Sequence, residues 1–498
     1  MKSSYDAVVI GSGMGGSVIT RRLVEAGFEV CLLERGDFIP QEKANWDIAE
    51  IAVNKRYRAD ETWYDGRGRP FSPRAFYNVG GASKFYGGSA FRLRREDFEE
   101  QRYTDGTSPA WPYPYDELSP WYDQAEELLK IRGRRGEDPT DPGGAEYPAE
   151  AVEHEDEIAR LAERLAKQGL HPFHTPLAVD FGPGGRCRKG SPCDGFPCMV
   201  RAKGDAENRI LRPVYTKKPA NLTLLTKAKA LRILADPEGR RVRSVEFEHE
   251  GITKEVAARI VVLSAGAIQS ALLLLDSRLA DSSGLVGRNY LCHNNSVLIA
   301  FNPFRRNPTR LQKTLSVNDY YLPRDEKSAA GNIQMRGKIH PEMLISHPNP
   351  LVRLLRNFIA PRSLDFWIMS EDLPTRENRV YRDGKGRIRI ERRPTRKTAH
   401  RRLVRRLKRH LRIAGYPFCF VTRRGAESIQ HQCGTLRMGN DPSTSVLDGH
   451  CRSHDHPNLY VVDGSFFPSS GAVNPALTIV AQALKVADRL IAEISGPI

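Results

Sequence analysis

The chain begins with an apolar strand pattern, a glycine-rich turn and a helical pattern. Residues 5–10 are almost continuously apolar, which is typical of a strand buried on both faces. The turn Gly11-Ser-Gly-Met-Gly-Gly16 follows, and a helical pattern then runs from Ser17 to Ala26. A second apolar strand covers residues 28–33 and ends at Glu34. This order predicts a complete βαβ unit, in which a helix connects two strands of one sheet.

Apolar periodicity also predicts elements further along the chain. They are a helix at 116–129, strands at 221–234, 242–247, 255–263 and 458–464, a short helix after Ser264 and a long helix after Pro475. Residues 297–424 are strand-rich at first and then basic and helical. This alternation indicates a separate layer inserted between parts of the first domain.

Length and composition are those of a large globular protein. The chain has 498 residues, of which 40% are hydrophobic and 27% charged, and this length allows roughly two to four domains. No apolar run approaches the ~18 residues that a membrane-spanning helix needs. The first strand follows Met1 so closely that no secretory signal is expected, and we therefore expect a cytoplasmic protein. Eight cysteines in a chain of this length do not indicate a disulfide framework.

The formal net charge of +16 is unusually high. Much of it lies in the region 376–412, where Leu403, Leu407 and Leu411 recur every four residues. This spacing predicts a helix with one apolar stripe and a basic remainder. The basic face is either solvated or binds an anionic membrane surface or an acidic partner. No recognisable nucleic-acid-binding module occurs, so no nucleic-acid partner is expected.

The glycine turn and Glu34 together indicate a dinucleotide site. Gly11 makes the tight turn, Gly13 lets the backbone approach a pyrophosphate, and Gly16 lets the helix pack closely on the strand. The pyrophosphate would lie at a helix N-terminus, and Glu34 would accept hydrogen bonds from a ribose. A glycine turn without a ligand is the alternative. The position at the start of the chain favours FAD, and Glu34 argues against a 2′-phosphate.

His431 and Asn474 are the candidate catalytic residues. His431 opens the segment His431-Gln-Cys-Gly-Thr435, and Asn474 precedes Pro475 and the C-terminal helix. A neutral imidazole can take the proton of an alcohol, and an amide can hold the resulting oxygen. A structural histidine is the alternative for His431. Asn474 followed by Pro475 is also a good N-cap and N1 pair for a helix.

Three cysteines, Cys187, Cys193 and Cys198, lie within one short irregular segment. They are expected to be reduced thiols or a local disulfide, because no fourth ligand occurs at a typical spacing. An iron–sulfur cluster or zinc at these cysteines stays open as the less favoured alternative.

With these motifs in place, the chain resembles the glucose–methanol–choline (GMC) family of FAD-dependent oxidoreductases. The likeness covers nearly the whole length, with some similarity to sugar- and polyol-oxidising members. It is strongest at 11–34, 79–98, 111–133, 264–275 and 431–490. The resemblance implies an α/β fold (α+β overall), in which a Rossmann-like FAD-binding domain is built from discontinuous segments. A substrate domain with a mostly antiparallel sheet is interleaved with it.

The resemblance also implies boundaries for the two domains. The FAD-binding domain comprises residues 1–37, 75–105, 200–296 and 430–498. The substrate-binding domain comprises residues 38–74, 106–199 and 297–429, with lid or loop segments.

The resemblance assigns roles to individual residues. His431 would be the base that takes the hydroxyl proton as hydride passes to flavin N5, and Asn474 would hold the substrate oxygen. The implied cofactor-binding residues are Gly11, Ser12, Gly13, Gly16, Glu34, Arg35, Gly80, Gly81, Ser83, Ala230, Ala265, Gly266, Asp463, Gly464 and Pro475. Tyr86 stands where many members have Asn or His, and no histidine occurs in 80–88, so non-covalent FAD is expected.

The expected reaction is FAD-dependent oxidation of an alcohol to a ketone or aldehyde. The substrate is expected to be a sugar, a glycoside or another polar alcohol, with Glu371 as a candidate pocket residue. The electron acceptor is O₂, a quinone or a redox protein. A lyase or isomerase of the same fold, and a non-catalytic FAD-binding protein, are the alternatives.

Overall fold

The computed structural model describes residues 2–190, 192–322, 331–423, 425 and 430–496. Its helices are α1 (Met14–Glu25), α2 (Tyr115–Leu129), α3 (Asp156–Ala166), α4 (Arg212–Tyr215), α5 (Ala267–Ser277), α6 (Pro350–Leu354), α7 (Arg356–Ile359), α8 (Lys397–Ile413) and α9 (Ala476–Ser495). Its strands are β1 (Ser4–Ile10), β2 (Val30–Leu33), β3 (Trp63–Asp65), β4 (Pro70–Phe71), β5 (Gln101–Tyr103), β6 (Gly106–Ser108), β7 (Ile131–Gly133), β8 (Ala149–Glu150), β9 (Pro172–His174), β10 (Leu177–Ala178), β11 (Leu222–Leu225), β12 (Ala228–Ala235), β13 (Val242–His249), β14 (Ile252–Leu263), β15 (Asn294–Phe301), β16 (Leu315–Val317), β17 (Asn332–Met335), β18 (Ser363–Ser370), β19 (Arg379–Arg382), β20 (Ile388–Glu391), β21 (Phe418–Arg423) and β22 (Leu459–Val461).

A seven-stranded sheet carries the predicted βαβ unit. Its order is β11-β2-β1-β14-β13-β12, and β22 pairs with the end of β14. The ladders β11–β2, β2–β1, β1–β14 and β14–β22 are parallel, so the carboxyl ends of these five strands share one edge. Ligands bind at this edge in open α/β sheets, and here the glycine turn, Glu34, Ser264 and Asp463 all lie just beyond it.

A six-stranded antiparallel sheet forms the second layer. Its order is β21-β15-β18-β17-β16-β9. One face packs on α8 and α3, and the predicted stripe of Leu403, Leu407 and Leu411 is buried there. The opposite face, which includes Phe301, packs on α6 and α7 through Val352 and other apolar side chains. The predicted amphipathic basic helix is therefore confirmed as α8, with its apolar stripe against the sheet.

Most predicted elements are present with small shifts at their ends, and one prediction needs revision. The strand expected at 221–234 is two strands, β11 and β12, which lie at opposite ends of the seven-stranded sheet. Within the described ranges, no helix combines the length and apolar character needed to cross a membrane.

Candidate active site

The glycine turn after β1 is packed so tightly that most of its glycines leave no room for a side chain. Gly11 has φ of 98°, and a Cβ there would lie 2.4 Å from Ser264 O. A Cβ at Gly16 would lie 1.9 Å from Gly11 O. At Gly13 the nearest protein atom would be Ser264 O at 3.9 Å. Protein packing therefore leaves room at Gly13, next to the first free N–H groups of α1, for a pyrophosphate.

Glu34 is buried at the end of β2 and joins the glycine turn to a second glycine loop. It accepts hydrogen bonds from Ser12 N (3.1 Å), Ser12 Oγ (2.5 Å) and Gly36 N (2.9 Å). Gly80 N donates to Ser12 Oγ at 3.1 Å. Burial raises the pKa of Glu34, while the hydrogen bonds from Ser12 and Gly36 oppose this rise. Arg35 instead pairs with Glu61, at 2.5 Å between Nη2 and Oε1.

The second glycine loop approaches the first. Gly80 and Gly81 both have positive φ, and a Cβ at Gly81 would lie 3.4 Å from Gly13 Cα. Ser83 Oγ donates to Gly80 O at 2.5 Å and accepts from Ala206 N at 3.0 Å, which fixes the turn. The two loops therefore form one glycine-lined cradle, and this cradle fits the pyrophosphate and adjoining parts of FAD.

Asp463 connects two other segments at the same edge. One carboxylate oxygen accepts from Gly266 N (2.9 Å) and Ser270 Oγ (2.5 Å), and the other accepts from Ser465 N (2.9 Å). Asp463 therefore orients the turn before α5, which contains Ala265, and the short helix Gly464–Phe466. Ala230 lies on β12 opposite Phe247.

His431 pairs with a second histidine, His293, which no sequence motif marks. His293 Nδ1 lies 2.9 Å from His431 Nδ1, and His293 Nε2 lies 3.1 Å from Ser470 O. Burial lowers the pKa of His293 to about 4. Burial, together with the neighbouring His293, also lowers the pKa of His431 well below its ordinary value. Both rings are therefore neutral at physiological pH.

Asn474 is not the cap of the C-terminal helix, which corrects one of its two expected roles. Pro475 occupies the N-cap position of α9, and no side chain caps that helix. The side chain of Asn474 instead accepts a hydrogen bond at Oδ1 from Gln334 Nε2 of β17, at 2.8 Å. Its Nδ2 group is thus directed away from that contact.

Charged side chains near His431 act on its pKa in opposite directions. Asp194 raises the pKa and Arg74 lowers it. Asp194 is itself held by Trp367 Nε1 (3.1 Å) and Gly337 N (3.4 Å). Burial raises the pKa of Asp194, but the nearby cations Lys313 and Arg336 outweigh it and lower the pKa to about 2. His293, Gln334 and Asp194 were missed because no motif or spacing in the sequence marks them.

Glu371 is buried one residue beyond the end of β18. Its Oε1 accepts from Ser108 Oγ at 2.6 Å, and burial raises its pKa to about 8. Glu371 is therefore an interior residue and not a surface acid.

The cysteines of the irregular segment are free thiols. Cys187, Cys193 and Cys198 form no disulfide. Over the described ranges, which omit Ser191 of this segment, no group of three or more His, Cys, Asp or Glu is arranged to hold a metal.

Comparisons with known proteins agree with this architecture. Residues 5–295 and 386–483 match the N- and C-terminal sequence profiles of GMC oxidoreductases. The chain is 32% identical to paromamine 6′-oxidase of Streptomyces fradiae, over 97% of this chain and 90% of that protein. It is 27% identical to 2-methyl-1,2-propanediol dehydrogenase of Mycolicibacterium austroafricanum, over 97% and 94%.

A solved structure shares the fold. The crystal structure of pyridoxine 4-oxidase from Mesorbium loti superposes with a TM-score of 0.67 at 22% identity, covering 97% of this chain and 98% of that one. The chain thus belongs to the GMC oxidoreductase family and is an FAD-dependent enzyme that oxidises alcohols at a CH–OH carbon.

Proposed function

We propose that the enzyme oxidises a sugar, a glycoside or another polar alcohol, with His431 as the general base and Asn474 as the residue that holds the substrate oxygen. The observation that carries this proposal is the contact between the Nδ1 atoms of His293 and His431, 2.9 Å apart. The relatives named as oxidases of paromamine and of 6‴-hydroxyparomomycin C support a polar, sugar-like substrate. The proposal includes the division into FAD-binding and substrate-binding domains given above.

The His293 contact selects the tautomer that a base requires. The Ser470 carbonyl can only accept, so His293 Nε2 must carry a proton and donate it. Neutral His293 then has its lone pair on Nδ1, and His431 must donate from its own Nδ1. Neutral His431 is left with an unprotonated Nε2. This nitrogen can accept the proton of a substrate hydroxyl.

Gln334 orients Asn474 in a comparable way. Because Gln334 Nε2 donates to Asn474 Oδ1, the remaining hydrogen-bonding group of Asn474 is the Nδ2 donor. A donor at this position stabilises the negative charge that develops on the substrate oxygen as its proton leaves. In this proposal His431 takes the hydroxyl proton, and Asn474 donates to the oxygen that loses it.

Bound FAD supplies the acceptor for the hydride that leaves the carbinol carbon. The proposal takes its attachment to be non-covalent. The loop 80–88 has no histidine that could form a covalent bond to the flavin. The hydroxyl of Tyr86 in this loop donates a hydrogen bond to Gly204 O at 2.5 Å. The acceptor that reoxidises the enzyme is O₂, a quinone or a redox protein.

The His431→Ala variant tests the catalytic assignment. We expect it to retain FAD but to be reduced by substrate about 10²- to 10⁴-fold more slowly, the usual contribution of a general base. Anaerobic bleaching of the flavin by a panel of sugars and alcohols provides the measurement. His171→Ala, at an exposed histidine that pairs with Asp319, is the matched control. Near-wild-type reduction of His431→Ala would refute the role of His431. A holoenzyme that no alcohol bleaches would favour a lyase, an isomerase or a non-catalytic protein.

A further inference from the structure

A cluster of large apolar side chains is exposed at one end of the six-stranded sheet. We call it the apolar patch; it comprises Phe304 (94% exposed), Leu354 (77%), Leu351 (50%), Phe418 (48%) and Phe358 (40%). Single exposed apolar residues are normal on protein surfaces, but a contiguous group of this kind marks a contact site.

Ring contacts connect two members of the patch, Phe358 and Phe418, through the buried ring of Phe301. The ring of Phe301, at the end of β15, lies 6.4 Å from that of Phe358 and 5.2 Å from that of Phe418. The Arg362 guanidinium lies 4.0 Å from the Phe358 ring and donates from Nε to Pro303 O, the residue before Phe304. The short helices α6 and α7 therefore present their apolar side chains beside the end of β15 and the edge strand β21.

The segments that form and border the patch are strongly basic. The three segments that form and border it, 302–310, 345–362 and 401–418, contain thirteen Lys and Arg residues and no Asp or Glu. Arg353 and Arg356 donate to the backbone carbonyls of His347 and Arg353, at 3.1 and 3.0 Å. Within the ranges that the structure describes, neither has a carboxylate partner, so these charges are available to an anionic ligand.

The basic helix reaches this surface at its C-terminal end. Ile413, the last residue of α8, is exposed, and Gly415 O accepts from Asn302 Nδ2 at 2.8 Å. Lys408 and Arg412 lie close enough to Cys419 of β21 to lower its pKa, although burial raises it overall. The basic face of α8, whose role the sequence left open, thus adjoins the apolar patch.

We infer that this face docks the enzyme on the surface of an anionic lipid bilayer. Apolar tips that enter the headgroup boundary, surrounded by Arg and Lys that contact lipid phosphates, are the features of interfacial membrane binding. A second copy of the chain fits the surface poorly, because its own patch would bring another set of uncompensated cations into the contact. An acidic protein would neutralise the positive charges, but it would not account for the exposed apolar side chains of Phe304 and Leu354.

Co-sedimentation of the holoenzyme with vesicles tests the inference. We expect binding to vesicles that contain about one third phosphatidylglycerol and little binding to phosphatidylcholine alone. Raising the salt from about 0.15 M to about 1 M should release the protein, because the screening length falls from ~8 to ~3 Å.

Two double variants separate the apolar and charged contributions. Phe304→Ser with Leu354→Ser, and Arg353→Gln with Arg356→Gln, should each weaken binding by about tenfold or more. Ile252→Ser and the pair Lys217→Gln with Lys229→Gln are matched controls at exposed positions of the other sheet and its surroundings. Retained flavin absorbance and an unchanged melting temperature show that each variant is folded.

Three outcomes would overturn the inference. They are equal binding to both kinds of vesicle, binding that survives both double variants, and a dimer in sedimentation velocity that the patch variants convert to monomer. The last would identify a second copy of the chain as the occupant.

Discussion

The Nδ1 atoms of His293 and His431 lie 2.9 Å apart, and only one of them can carry the proton between them. The Ser470 carbonyl decides which, since it requires a donor at His293 Nε2. His293, whose two ring nitrogens are both hydrogen-bonded within the protein, thereby determines which nitrogen of His431 is free. This relationship makes His293 a positioning residue, and it leads to a test that a merely structural histidine would not pass.

Substitutions of His293 should separate the two hydrogen bonds that its ring makes. His293→Asn places an amide oxygen at the position of Nδ1, because both atoms lie one bond beyond Cγ, and it can still accept from His431. His293→Leu cannot accept. We expect His293→Leu to lower the rate of flavin reduction by about 10- to 100-fold with little change in KM, and His293→Asn to restore part of the loss. Equal rates for the two variants would contradict the tautomer role.

Gln334 should matter through Asn474 in the same indirect way. In Gln334→Glu a carboxylate replaces the donor and can only accept, so Asn474 must turn its Nδ2 towards it and present Oδ1 to the substrate. We expect the rate of reduction to fall by about 10²-fold or more, the usual effect of losing one oxyanion donor. Gln334→Leu, which removes the contact without reversing it, should be less impaired. Stopped-flow reduction measures both, and a more severe defect in Gln334→Leu would refute the argument.

The pH dependence of reduction should respond to the two charges near His431. The base acts when unprotonated, so activity is lost as the pH falls through the pKa of His431, which burial sets below its ordinary value. Asp194→Asn removes a charge that raises this pKa, so the acid limb should move to lower pH. Arg74→Gln removes a charge that lowers it, so the limb should move to higher pH. The exposed pair Asp60→Asn and Arg67→Gln is the control, and shifts of the same sign would exclude His431 as the titrating base.

Substitution of Gly13 should affect FAD binding, whereas substitution of Gly15 should affect the stability of the protein. A Cβ at Gly13 meets protein only at 3.9 Å, so Gly13→Ala should fold normally but weaken FAD binding roughly tenfold or more. A Cβ at Gly15 would lie 1.7 Å from Val462 O, so Gly15→Ala should destabilise the apoprotein itself by about 1–3 kcal/mol. Flavin fluorescence titration and thermal unfolding of the apoproteins distinguish these effects. A Gly13→Ala protein with full FAD affinity would show that the cofactor does not approach this backbone.

Local patterns were sufficient for the parts of the fold that depend on short sequence distances. The apolar runs around Gly11 predicted the βαβ unit, and the spacing of Leu403, Leu407 and Leu411 predicted α8. Both predictions work because a buried face must be apolar, so apolar residues recur at the period of the helix or strand.

The partners in the candidate site could not be found in this way. His293 and His431 are 138 residues apart, and Gln334 and Asn474 are 140 apart, so no periodicity connects either pair. Asn474 shows how local chemistry misled the prediction. Asn before Pro is a good helix cap on its own. Here, however, the Oδ1 atom of Asn474 accepts a hydrogen bond from Gln334 Nε2 and does not cap the helix.

Glu371 should make the stability of the protein depend on pH. Burial raises its pKa to about 8 from an ordinary value of 4.5, so the folded state binds a proton that the unfolded state has lost over this range. Stability should therefore fall as the pH rises from about 4.5 to 8, by on the order of a few kcal/mol. Glu371→Gln keeps an acceptor for Ser108 Oγ but cannot ionise, and it should flatten the profile. Urea unfolding between pH 5 and 9 measures the effect, with the exposed Glu342→Gln as the control. Parallel profiles for Glu371→Gln and wild type would show that the carboxyl is not protonated in the folded protein.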